Sequence, residues 1–138
     1  HGPGQRIVYL MINLNKRKKD IRKFISVIED SIINVLNNYN IEAKSFKERV
    51  GIWVTKANNI KFEKEKKIAA IGLRVSKWIT YHGLSFNIKP DMKYYDCINA
   101  CGLSDYKNTS LEELGININN EEFDEEFKKK FLKNLSKI

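Results

Sequence analysis

Apolar and polar positions follow two different periods along the chain. Residues 6–14 (RIVYLMINL) are almost continuously apolar, which predicts a largely buried strand. A basic turn follows at 16–19. Asp20 then stands where an N-cap is wanted, ahead of a long helix with Ile21, Phe24, Ile25, Ile28, Ile32, Val35, Leu36 and Tyr39 on one stripe. Strands are predicted over 43–46 and 50–54, a polar hairpin over 56–66, and strands over 67–75 and 78–88, the last interrupted at Gly83. After Pro90 the pattern loosens: a short helical turn over 91–98, a Gly/Ser/Asp/Asn loop over 101–109, and a short helix over 110–114. A helix over 120–135 carries Phe123, Phe127 and Phe131 four residues apart, with its acids early and its lysines late, as the helix dipole favours. These elements predict a single α+β domain over 1–138, a mixed sheet covered on one face by helices.

The length of 138 residues suits one domain, and 42% hydrophobic residues suffice for a core. No apolar run approaches the ~18 residues of a membrane span, and no signal peptide is visible; a cytoplasmic protein is the expectation. The net charge of +8 is uneven: residues 1–80 hold 17 Lys+Arg against 7 Asp+Glu, and residues 81–138 hold 8 against 10. The basic part suits nucleic acid, anionic lipid or an acidic protein, or reflects a general abundance of Lys, Asn and Ile. No interleaving of aromatic and basic residues supports nucleic acid. The two cysteines, Cys97 and Cys101, are expected as free thiols, without a histidine at zinc-ligand spacing.

Four segments are candidates for chemistry. His1-Gly2-Pro3-Gly4-Gln5 is either an ordinary turn or a loop whose backbone approaches a ligand. Lys67 opens a strand of small and apolar residues, Ile68-Ala69-Ala70-Ile71-Gly72. It is either a surface lysine reaching to water or a partly buried amine that exchanges protons near neutral pH. Cys101, in Ala100-Cys101-Gly102, is either buried filler or an accessible thiol whose neighbouring N–H groups stabilise an oxyanion. Cys97 fits the structural role. His82, before Gly83 and Leu84, either orients a substrate carbonyl or is a satisfied sheet histidine.

Taken together and in order, HGPGQ (1–5), GIWV (51–54), KIAAIG (67–72), YHGLSFN (81–87) and ACG (100–102) closely resemble the octanoyl-[acyl-carrier-protein]:protein N-octanoyltransferases of lipoate biosynthesis. The resemblance spans residues 1–102 and says little about the tail after 110. It implies the fold of biotin and lipoate protein ligases. It also implies transfer of an octanoyl group from octanoyl-acyl carrier protein to a lysine of a lipoyl domain, in 2-oxoacid dehydrogenases and the glycine cleavage H protein. In that family the acyl group passes through a cysteine thioester. The matching positions make Cys101 the nucleophile and Lys67 the residue that lowers its pKa and shuttles protons. His1, Ala70, Ile71, Gly72, His82, Gly83 and Leu84 would shape the acyl and pantetheine site. No metal, nucleotide or other cofactor is implied, and neither nucleic acid nor membrane is an expected partner.

The family also carries an Arg-Gly-Gly loop directly before His-Gly-Pro-Gly-Gln, with more strand and helix ahead of it. The expectation is therefore an N-terminally truncated catalytic domain with its catalytic pair present and its substrate site incomplete. The alternatives are an ATP-dependent lipoate or biotin ligase-like enzyme, an inactive remnant, and a non-enzymatic binder of acidic proteins or nucleic acid.

Overall fold

The computed structural model describes residues 2–93 and 106–138. His1, Cys97, Cys101 and Gly102 lie outside them, as do most of the turn expected over 91–98 and part of the loop over 101–109. Five strands form one sheet: β1 (Gln5–Tyr9), β2 (Ile41–Phe46), β3 (Arg49–Ala57), β4 (Ile60–Ser76) and β5 (Ile79–Asn87). Their order is β1-β5-β4-β3-β2, and every adjacent pair is antiparallel. The parallel element among the described residues is an isolated bridge between Lys67 and Asn108. Among the described residues, two helices, α1 (Ile21–Asn37) and α2 (Asn120–Leu135), cover one face.

Local chemistry explains the element boundaries. The Asp20 side chain accepts from the Lys23 N–H at 3.1 Å, capping α1 as expected. The buried stripe contains Phe24, Ile28, Ile32, Val35 and Leu36, joined by Val27 and Ser31, while Ile21 in the first turn is exposed. Ser31 is tolerated in the core because its hydroxyl donates to the Val27 carbonyl at 2.6 Å and accepts from Asn134 of α2 at 3.1 Å. Two tight hairpins turn on residues with positive φ, Asn58-Asn59 and Lys77-Trp78, the conformation that two-residue hairpin loops need. The hairpin expected over 56–66 thus turns at Asn58-Asn59, and its second arm and the strand expected over 67–75 are one 17-residue strand, β4.

Two predicted elements differ in extent. The strand expected over 6–14 ends at Tyr9. Residues 10–14 continue along β5 irregularly, through Leu10 N–H to His82 O at 2.7 Å and Leu14 N–H to Trp78 O at 2.7 Å. Residues 110–114 make a single turn, closed by Leu114 N–H to Ser110 O at 3.1 Å, rather than a helix of their own.

The helix-covered face is the core. Phe86 of β5 stacks on Phe123 at 4.5 Å; Phe123, Phe127 and Phe131 form a ladder along α2; Phe131 meets Phe24 of α1 edge-on at 6.2 Å. Register puts Ala69, Ile71, Leu84 and Phe86 on this side. Ala70, Gly72, Gly83 and Ser85 therefore face the other way.

Candidate active site

The open face of the sheet carries the residues singled out in the sequence. A groove of about 660 Å³ runs over β1, β5 and β4. All six described residues expected at the acyl site line it: Ala70, Ile71, Gly72, His82, Gly83 and Leu84. Ala70, Gly72 and Gly83 form its floor because they are small. The side chains of Ile71 and Leu84 pack against the core on the other side, so these two offer the groove backbone.

Gly83 is essential for a different reason. A β-carbon there would lie 2.1 Å from the Val8 carbonyl oxygen of β1. The missing side chain lets β1 come close, and β5 runs through Gly83 without the expected interruption. His82 stands exposed at the rim with φ of 63°, a backbone region uncommon outside glycine. Its ring lies 5.1 Å from that of Tyr81 and 6.5 Å from that of Tyr9. Ile7, Tyr9, Arg74 and Ser85 also line the groove. They were not singled out beforehand, because only the strand register shows that they share its face.

Lys67 reaches this face through a bulge. Ile52 pairs with Ala69 but Trp53 pairs with Lys67, so Ile68 is an extra residue on β4. Ile68 and Ala69 both point into the core. Strict alternation would put Lys67 and Ala70 on opposite faces; the bulge puts them on the same one. The Lys67 stem crosses Gly51, where an added β-carbon would sit 2.6 Å from Cε. The Nζ lies 5.8 Å from the centre of the Trp53 ring. Burial pushes the Lys67 ammonium below the ordinary lysine pKa.

Around Lys67 the chain is tied down from both sides. The Lys67 N–H donates to Lys107 O at 2.9 Å, and the Thr109 N–H donates to Lys67 O at 2.8 Å. The segment that follows residue 105 therefore enters the described structure beside Lys67. Tyr106 packs edge-on against Trp53, with ring centres 5.2 Å apart. Arg49 is enclosed by aromatic rings: its guanidinium carbon lies 4.2 Å from the ring of Phe46, 4.5 Å from Trp53 and 4.2 Å from Tyr106. It also donates to Glu65 at 3.3 Å. Among the described residues, no group of three or more His, Cys, Asp or Glu side chains has metal-binding geometry. No helix among them is long and apolar enough to cross a membrane.

This architecture is that of the biotin and lipoate protein ligases. The biotin protein ligase of Aquifex aeolicus superposes over 97% of this chain and 54% of its own, with a TM-score of 0.69 at 15% identity. The bipartite lipoate protein ligase of Thermoplasma acidophilum does so over 99% and 53%, also with a TM-score of 0.69, at 13% identity. Sequence narrows the class: residues 1–132 match the lipoyl protein ligase A/B catalytic domain, and the chain belongs to that family. It is 49% identical over 134 residues to an octanoyltransferase of Wolbachia pipientis wMel, and 47% identical over 132 residues to one of Ehrlichia canis. These alignments cover 96% and 95% of this chain but 63% and 59% of the relatives, so the chain spans about three-fifths of their length.

Proposed function

We propose that this chain is the catalytic part of an octanoyltransferase acting in the cytoplasm. Its substrates are octanoyl-acyl carrier protein and the lipoyl domains of 2-oxoacid dehydrogenases and the glycine cleavage H protein. The observation that supports it most is the half-buried Lys67, its amine pKa lowered by burial, on the same sheet face as a groove floored by small residues.

In this reading the Cys101 thiolate attacks the thioester carbonyl of the donor. The carrier thiol leaves with a proton from the Lys67 ammonium, and octanoyl stays on Cys101 as a thioester. The acceptor lysine amine then attacks that thioester. It loses a proton to neutral Lys67, and Cys101 departs as thiolate. One thioester replaces another and an amide is then formed, so no nucleotide is consumed. Burial serves the chemistry because an ordinary lysine would be almost wholly protonated at neutral pH and unable to accept the second proton. His1, Ala70, Ile71, Gly72, His82, Gly83 and Leu84 shape the acyl and pantetheine site. The basic residues of the first part of the chain attract the acidic partners.

Intact mass after incubation with octanoyl-acyl carrier protein tests the reading. The expected result is one octanoyl group on Cys101, formed without ATP and absent from Cys101→Ser. An adduct surviving that substitution, or formation only from free octanoate with ATP, would overturn it and favour a ligase.

A further inference from the structure

We infer that Gly51 and Trp53, alternate residues of β3, are positioning residues that seat the Lys67 side chain on the open face, with Arg49 locking the indole in place. The inference rests on reading Lys67 as the proton-transfer group, and it extends the site to a strand that carries none of the expected site residues.

Three observations converge on it. First, Gly51 leaves the space that the lysine stem occupies. Its φ is +109°, and a β-carbon there would lie 2.6 Å from Lys67 Cε and 2.6 Å from the Ala69 carbonyl oxygen. Any side chain at position 51 would displace the stem or push β4 away. Second, Trp53 pairs directly with Lys67 across the bulge. The residue is only 6% exposed, so its ring is an apolar wall beside the amine. Third, that ring is held at a cost. Among the described residues, Trp53 Nε1 and Arg49 Nη1 are both buried without a hydrogen-bond partner, and an unmet buried donor is unfavourable. The compensation is packing: Arg49 lies on the indole at 4.5 Å and Tyr106 meets its edge.

The seat acts on Lys67 through two opposed effects. The indole face attracts an ammonium, whereas exclusion of water disfavours it. At 5.8 Å the attraction is weak, and burial dominates the direction of the shift. Among the described residues, charged groups close to the lysine in strand register or on the returning segment include Arg49 on β3, Glu65 and Lys66 on β4, Lys44 opposite Trp53 on β2, and Lys107. Glu65, a carboxylate among these, is bonded to Arg49; burial lowers the amine pKa, and the buried Trp53 paired with Lys67 is part of that burial.

Nuclear magnetic resonance on the chain with 13C at lysine Cε tests this without any acyl transfer. Lys67 is assigned by the signal missing from Lys67→Met. The unaltered chain should show nuclear Overhauser contacts from Lys67 Hε to Gly51 Hα and to the indole protons. Trp53→Phe should keep the Lys67 titration midpoint, since it retains a ring. Trp53→Ala should raise the midpoint towards that of the exposed lysines by admitting water. Absent Overhauser contacts in the unaltered chain would overturn the proposal even if Trp53→Ala did not fold. So would a folded Trp53→Ala with an unmoved midpoint. If the contacts and shifts appear but Cys101 takes no octanoyl group, the seat stands and the transferase reading fails.

Discussion

The two faces of this sheet are built from opposite materials. The helix-covered face is filled by large rings and branched chains: Phe86, Phe123 and Ile68 are fully buried there, and the aromatic ladder of α2 runs down to Phe24. The open face has Ala70, Gly72, Gly83 and Ser85 over β4 and β5, then Lys67, Gly51, Trp53 and Arg49 towards β3. Both faces belong to the same strands, so one residue's step along the backbone separates a structural role from a chemical one. Stability is concentrated where volume is large, and the groove exists where volume has been removed.

The contrast is most sharply tested on the filled side. Phe123→Ala should destabilise the fold by about 3–5 kcal/mol, since it opens a cavity between β5 and α2. A urea titration followed by circular dichroism measures it. A loss below about 1 kcal/mol, the level of ordinary surface changes, would mean that the ladder is not the core.

On the open side the two glycines should separate. Gly83→Ala puts a methyl into the Val8 carbonyl, and should cost about 1–3 kcal/mol through displacement of β1. Gly72→Ala meets nothing within 4 Å and should stay within about 0.5 kcal/mol. Equal effects at the two positions, in the same titration, would contradict the close approach of β1 to Gly83.

A smaller effect concerns pH. Lys67 is depressed in the folded state, so the unfolded chain binds more protons between that lowered value and the ordinary ~10.4. Stability should therefore rise with pH across this window. Lys67→Met removes the penalty of a buried ammonium, and its advantage should be largest below the window and vanish above it. Parallel denaturation curves at several pH values measure the difference. A gap between the two proteins that does not change with pH would show that Lys67 titrates as an ordinary surface lysine.

Much of the helix-covered side could be read in advance. The spacing of Phe24, Ile28, Ile32, Val35 and Leu36 and the Asp20 cap place α1 correctly, and the four-residue spacing of phenylalanines places α2. Local periodicity suffices because a helix face repeats within a few residues. The family resemblance pointed to Ala70, Gly72, His82 and Gly83, and the structure gathers them at one groove. It did not show what Gly51 and Trp53 do, since a glycine and a tryptophan in an apolar run look like parts of a buried strand. Their relation to Lys67 depends on a partner strand 14–16 residues away in sequence.

The sequence by itself determined the two long helices, the approximate strands and the family, because these are written in local spacing and in short motifs. Tertiary structure decided which face each strand residue occupies. A single bulged residue, Ile68, reverses the alternation and brings Lys67 onto the face of Ala70 and Gly72. No pattern within β4 announces that reversal. It arises from hydrogen-bond register with β3, a long-range pairing that only the folded sheet establishes.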